Sequence, residues 1–282
     1  MTDVLRYTAF ADRADGGNPA GVVLDAGGLS DDAMQAIAAE VGYSETAFVV
    51  GADGTALDVR YFSPLAEVPF CGHATIATGV AWGEARGFGT LRLTTRSGLV
   101  EVSVRPGAGG GPPVATLTSV EPSVADASHA DVAEALAALG WDAGELDPAL
   151  PPRVAYAGAF HLVLAAAAPE RLAALDYDFE RLGALMAARG WTTVQLVSRL
   201  GPDRFRARNP FPPGGVVEDP ATGAAAAAFG AYLRELGLVD PPAALEIEQG
   251  VEMGRPSRLS VEIPPAPAGI RVSGAAVPIP PD

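Results

Sequence analysis

An α+β fold built from two similar lobes is predicted by this sequence, on three observations. First, the segment from Ala36 to Val50 reads as a helix ending at Gly42, then an aromatic residue, two small polar or acidic residues and a strand. It recurs 148 positions later, from Ala184 to Ser198, with Gly190 and Trp191 in the corresponding places. Second, Pro69 to Ala81 is echoed by Pro220 to Ala228, each a turn feeding a glycine and then a helix of small residues. Two copies of about 150 residues cannot form a solenoid, which needs about three, so they suggest two domains facing each other across a cleft. Third, 282 residues with 49% hydrophobic and 19% charged side chains suffice for two packed cores.

Element by element, Leu5 to Phe10 reads as a strand, Gly16 to Pro19 as a turn, and Ala20 to Leu24 as a second strand. Ser30 caps a helix running to about Val41, with Asp31 and Asp32 in the first turn where the helix dipole favours acids. Thr46 to Val50, Ala56 to Phe62 and the stretch from Leu91 to Arg105 have strand character, and a small-residue helix covers Ala74 to Val80. The Gly/Pro-rich run from Pro106 to Pro113 is an exposed hairpin loop or inter-lobe connection. Beyond it, helices are expected at Ala130 to Leu139, Pro169 to Leu175 and Phe179 to Arg189. Strands are expected at Arg153 to Tyr156, His161 to Ala165, Thr193 to Val197, Arg204 to Ala207, Leu245 to Gln249, Ser257 to Ile263 and Gly269 to Ala275. The lobes are therefore assigned to residues 1–113 and 114–263, with the C-terminal strand in 264–282 able to complete the first lobe.

The residue inventory removes whole mechanisms. All 19 basic residues are Arg, so no Lys is available for a Schiff base or a P-loop. A formal net charge of −15 opposes nucleic-acid backbones and anionic membrane surfaces, and no nucleic-acid or membrane partner is expected. The longest apolar run, Ala221 to Gly230, is too short to span a bilayer, and the segment from Met1 to Tyr7 lacks a signal-peptide pattern, so a cytoplasmic protein is expected. The single cysteine, Cys71, excludes an internal disulfide framework. With His73, His129 and His161 far apart and no zinc-type motif, no metal and no cofactor is expected, and chemistry falls to side chains alone.

Five motifs then carry a resemblance. They are Gly17-Asn18-Pro19-Ala20, Tyr43 to Phe48, Arg60 to Pro64 followed by Glu67 to Thr75, Val217 to Gly223, and Gln249 to Ser257. Together, in this order, the chain resembles the PhzF-type phenazine-biosynthesis isomerase family, within the diaminopimelate-epimerase-like fold. The resemblance implies two pseudo-symmetric lobes, each a curved, mostly antiparallel sheet wrapped around a central helix, with the active site between them. It also implies a homodimer and a cofactor-independent isomerase acting on a small carboxylate.

Each candidate site residue has an ordinary reading beside the functional one. Glu45 would ordinarily be a solvated turn carboxylate. Its counterpart in the second copy is Thr193, and among apolar neighbours such as Tyr43 and Phe48 a carboxylate can accept and return a proton. The family's general acid/base glutamate falls on Glu45. His73 follows Gly72 at the mouth of a helix, where it would ordinarily be a cap; the same N-terminus favours an anionic substrate or a developing enolate, and the family's active-site histidine matches His73. Thr222, Gly223 and Ala224 repeat this geometry in the second lobe, giving a site with one reactive and one mainly polar wall.

Cys71 is ordinarily a small buried hydrophobe; as a reactive thiol it would make a single-thiol epimerase, since its counterpart is Thr222, whose hydroxyl is no matching base. A non-catalytic metabolite-binding protein of the same fold is the third reading. Asp219, before Pro220, suits a turn or cap, and the family places a substrate-contacting carboxylate there. Ala224 stands where phenazine-pathway members carry Ser, which removes a substrate hydrogen bond. Asn18 is ordinarily turn chemistry, and in the family it lines the cleft. His161 reads as a core or rim histidine, His129 as a helix-flanking surface residue.

Overall fold

The computed structural model describes residues 2–280 and divides into two compact units, one reaching from the N-terminus to Thr118 and resuming at Ser273, the other Ser119–Val272. In the first unit the order is β1 (Leu5–Ala9), β2 (Asn18–Val23), α1 (Asp31–Val41), β3 (Glu45–Asp53), β4 (Ala56–Phe62), β5 (Glu67–Val68), α2 (Gly72–Arg86), β6 (Gly89–Thr95), β7 (Gly98–Arg105) and β8 (Val114–Thr118). The strands run β1-β2-β3-β4-β6-β7-β8 across the sheet, and the C-terminal strand pairs with both β8 and β1, closing a barrel.

What fills that barrel is α2. Every residue from His73 to Gly83 is buried, and after His73 the stretch is Ala, Thr, Gly, Val and Ile with one Trp. A helix apolar all round can only be stable in a core, and small side chains let strands curl closely about it. At Gly79 an added Cβ would sit 3.1 Å from Val102 and 3.2 Å from Val104, so the helix approaches β7 as closely as a glycine allows. The other helix, α1, is amphipathic and packs outside, burying Met34 and Ala38 against Val23, Phe48 and Phe62.

The second unit contains β9 (Ser123–Asp126), α3 (His129–Leu139), β10 (Arg153–Tyr156), β11 (Phe160–Ala165), α4 (Pro169–Ala173), α5 (Phe179–Arg189), β12 (Trp191–Arg199), β13 (Arg204–Arg208), β14 (Pro210–Phe211), β15 (Val216–Glu218), α6 (Gly223–Glu235), β16 (Ala243–Gln249) and β17 (Ser257–Ile263). The last strand, β18 (Arg271–Pro278), begins here and ends in the first unit. The sheet order is β9-β10-β11-β12-β13-β16-β17, with β14 and β15 a separate hairpin.

Its internal plan repeats that of the first unit. A parallel pair joined through outer helices (β2 and β3; β11 and β12) is followed by a parallel pair that flanks a central helix (β4 and β6 around α2; β13 and β16 around α6). Two glycines in each copy mark the repeat: Gly72 and Gly79 in α2 each lie 151 residues before Gly223 and Gly230, respectively, in α6. At Gly230 an added Cβ would meet Val261 at 2.9 Å and Ile270 at 3.0 Å. Outside the sheet, α3, α4 and α5 bury Leu136, Leu139, Leu172, Leu182 and Met186 against Leu162, Leu164, Val194 and Leu196.

Several expectations are refined. The stretch from Leu91 to Arg105 is a hairpin of two strands, because Gly98 supplies the positive φ of 110° where the chain reverses. The Gly/Pro-rich loop does not end the first unit: β8 follows it and pairs with β7, so the break falls after Thr118 rather than at 113, and the return occurs at Ser273 rather than 264. Asn18 and Pro19 belong to β2 rather than to a turn. Phe48 is not a neighbour of Glu45 on one face; strand alternation sends it to the α1 side. Among the described residues, no helix is long and apolar enough to cross a membrane.

Candidate active site

Three of the six α-helices among the described residues are capped conventionally. Ser30, Ser128 and Asp178 each accept a backbone N–H at the start of α1, α3 and α5, and each of those helices carries an acid in its first turn. The two central helices have neither: Cys71 before α2 and Thr222 before α6 make no side-chain cap, and no acid lies in the first turn of either. These are the two helix ends to which the sequence assigns candidate site residues, and a helix N-terminus without a side-chain cap favours an anion.

At the start of α2, Glu45 comes from the first position of β3 and His73 from the first turn of the helix, with Glu45 Oε2 3.4 Å from His73 Nε2. Asn18 Nδ2 lies 3.1 Å from His73 Nδ1 and Ser44 Oγ 3.3 Å from Nε2. An amide nitrogen only donates, so Nδ1 is an acceptor and the ring proton sits on Nε2, directed toward Ser44 and Glu45. His73 and Asn18 are buried, whereas the Glu45 side chain keeps 15% of its surface exposed and is the accessible member of the group. Cys71 Sγ is 3.3 Å from His73 Nδ1 and 3.8 Å from Nε2. Gly72 is the first residue of the helix, and a Cβ added there would meet nothing within 4 Å.

A second tier holds this end in place. Thr75 Oγ1 donates to the Cys71 carbonyl at 2.6 Å, which leaves Tyr61 as donor in its 2.6 Å bond to Thr75. Burial holds the Tyr61 phenol protonated by raising its pKa well above the ordinary value. Gly17 lets β2 enter the site: its φ is +67°, and a Cβ there would meet the Ala9 carbonyl at 2.4 Å.

At the start of α6 the groups are bound to one another. Thr222 Oγ1 donates to Asp219 Oδ2 at 2.5 Å and accepts from Gln249 Nε2 at 3.0 Å; Gln249 also donates to the Asp219 carbonyl at 2.7 Å and accepts from Thr222 N at 3.1 Å. The Thr222 proton is thus directed at Asp219. Gly223 and Ala224 open the helix and are half-buried, and Ala224 offers no hydroxyl. Beside Asp219, Glu218 is held by a buried two-pronged pair with Arg208 at 2.6 and 3.0 Å.

The counterpart of Glu45 lies elsewhere in this unit. Thr193 is fully buried, donates to Asn209 Oδ1 at 2.7 Å and accepts from His161 Nδ1 at 2.8 Å. His161 is held neutral, its pKa lowered by burial to about 3, and its Nε2 has no hydrogen-bond partner. It is a core histidine, as read from its strand, but only half satisfied. His129 opens α3 on the surface.

The model of the phenazine biosynthesis-like proteins, PhzC-PhzF, matches residues 7–280. The chain belongs to the PhzF-type family. An uncharacterized isomerase of Deinococcus radiodurans is 35% identical, covering 93% of this chain and 87% of its own. The trans-2,3-dihydro-3-hydroxyanthranilate isomerase of Pseudomonas aeruginosa is 33% identical, covering 95% and 92%. Among solved structures, a Bacillus anthracis phenazine biosynthesis protein of the PhzF family superposes with a TM-score of 0.88 at 25% identity, covering 99% of this chain and 97% of its own. A probable proline racemase from Agrobacterium radiobacter, 15% identical with a TM-score of 0.65 and covering 98% and 91%, shares the fold. Named relatives of this PhzF-type protein are isomerases, and its fold is diaminopimelate-epimerase-like.

The sequence shows no metal-ligating motif, yet Glu45, Cys71 and His73 bring one donor atom each to within 4.8 Å of one another. Cys71 and His73 flank the start of a helix, and Glu45 arrives from a strand 26 residues earlier, so linear spacing conceals the group. Sequence reasoning also gave no role to Ser44 or Gln249. Ser44 is adjacent to Glu45 in the Tyr43 to Phe48 motif, and Gln249 opens the last of the five motifs; those positions were the available signal.

Proposed function

We propose that this protein is a cofactor-independent isomerase that moves a proton between carbons of a small carboxylate, with Glu45 as the group that takes and returns it. The observation that carries the reading is Glu45 standing against His73 Nε2 at an uncapped helix N-terminus. Glu45 removes a proton from a carbon conjugated to the substrate carboxylate. The electron pair left behind delocalises as an enolate, and the same carboxyl returns the proton at another carbon, shifting a double bond with no net loss of atoms. Backbone amides at Gly72 stabilise the delocalised anion, and His73, oriented by Asn18, donates from Nε2. Asp219, Thr222, Gly223 and Ala224 serve substrate binding, with the Asp219 carboxylate suited to an amino or hydroxyl substituent.

The substrate class is a small amino- or hydroxy-carboxylate with a conjugated double bond. The relatives' trans-2,3-dihydro-3-hydroxyanthranilate belongs to it, but the absent hydroxyl at Ala224 argues for a different member. A second reading rests on Cys71 Sγ at 3.3 Å from His73 Nδ1 and makes the thiol the base. Deuterium exchange from D₂O into a panel of such carboxylates, followed by NMR, separates the two. Glu45→Gln is expected to lower exchange by about 10²–10⁴-fold and Cys71→Ala far less. The reverse ranking establishes the thiol reading, and a Glu45→Gln protein that exchanges at the wild-type rate refutes the assignment.

A further inference from the structure

The Glu45, Cys71 and His73 side chains have the donor types, spacing and charge of a three-ligand site for a thiophilic divalent cation. In tetrahedral zinc sites, metal–sulfur bonds of about 2.3 Å and metal–nitrogen or metal–oxygen bonds of about 2.0–2.2 Å set donor–donor separations of roughly 3.3–3.6 Å. Here His73 Nε2 is 3.4 Å from Glu45 Oε2 and 3.8 Å from Cys71 Sγ. The third edge also falls within 4.8 Å, so side-chain adjustments of about an ångström close the triangle. No other group of three such side chains occurs among the described residues.

Charge and exposure agree with this geometry. A thiolate and a carboxylate neutralise a divalent ion, so no net charge enters a pocket where Cys71 and His73 are buried. The partly exposed Glu45 gives the ion a path from solvent. Three protein ligands leave the fourth position to water. Ligation through Nε2 requires the other tautomer: the ring proton moves from Nε2 to Nδ1, where the Asn18 amide, which carries both a donor and an acceptor, turns its oxygen to receive it.

We propose that Glu45, Cys71 and His73 bind one Zn²⁺- or Cd²⁺-type cation per chain, and that the bound ion switches the enzyme off by ligating Glu45. The inhibitory half rests on the proton-shuttle reading above. The binding half does not.

Cd²⁺ is the probe, added to chelator-treated full-length protein. One equivalent per chain is expected, with the ultraviolet charge-transfer absorption of a thiolate–cadmium bond. Cys71→Ala abolishes that absorption. Glu45→Gln, which preserves shape, retains it but lowers affinity at least tenfold. Deuterium exchange in wild type falls in proportion to occupancy and returns on chelation. No stoichiometric binding, or binding of unchanged affinity in both variants, overturns the site. Binding without loss of exchange overturns the inhibition. The shuttle reading is tested apart from this, by exchange in metal-free Glu45→Gln.

Discussion

The central helices α2 and α6 enter their units alike and differ in what surrounds their first turns. Both begin at a glycine without a cap, both are buried along most of their length, and both press a glycine against the sheet, Gly79 in one and Gly230 in the other. At α2 the neighbours are Glu45, His73 and Cys71, groups that gain and lose protons. At α6 they are Asp219, Thr222 and Gln249, joined in a closed set of hydrogen bonds that fixes the Thr222 proton. Where Glu45 stands in the first copy, Thr193 in the second is sealed between His161 and Asn209. Packing requirements are the same in both copies, and both hold small residues there; the carboxylate stands in one copy only.

The largest test of this contrast is chemical. Glu45→Gln should reduce proton exchange by about 10²–10⁴-fold, whereas Thr193→Val in the other unit should change it less than tenfold. Comparable losses from both would erase the asymmetry.

Next comes the Arg208–Glu218 pair, whose side chains keep only 11% and 4% of their surface exposed. Arg208→Met leaves Glu218 buried without its partner, at a cost of about 3–5 kcal/mol in urea unfolding. Arg13→Ala in the first unit breaks a pair exposed at 76% and 70%, and should leave the midpoint unmoved. An equal shift from both would show that burial of the pair does not matter.

A third test uses acid. Burial holds His161 at about 3 against its ordinary 6.5, so between these values the unfolded chain binds a proton that the folded chain does not. Stability from this group is therefore complete above pH 6.5 and declines as pH falls toward 3, by up to about 1.4 kcal/mol per pH unit. His161→Gln should flatten that slope relative to wild type in denaturant midpoints measured across the window. Parallel slopes would place a counter-charge or a proton at His161.

The smallest effects concern the two glycines. An added methyl at Gly230 meets Val261 and Ile270 at 2.9–3.0 Å, against 3.1–3.2 Å at Gly79. Overpacking costs about 1–3 kcal/mol, and Gly→Ala in a helix returns up to about 1 kcal/mol. Gly230→Ala should therefore destabilise, and Gly79→Ala should fall near neutral; thermal unfolding orders them.

Much of this was legible in the sequence because it is written in local signals. Helix ends at Gly42 and Gly190, the cap at Ser30, and the small-residue runs of α2 and α6 each follow from conformational freedom, hydrogen bonding or side-chain volume within a few residues. Those signals, doubled at spacings of 148 and 151 residues, determined an α+β chain of two related units, and the ordered motifs determined its family. Tertiary structure alone decided which unit owns β8, because strand pairing depends on where β7 lies rather than on the glycines between them. It alone turned Phe48 away from Glu45, fixed the His73 proton on Nε2 through Asn18, and tied Thr222 to Asp219 and Gln249. Above all it gathered Glu45, Cys71 and His73 into one group, since the distance between side chains on a strand and on a helix is set by packing, which no residue spacing records.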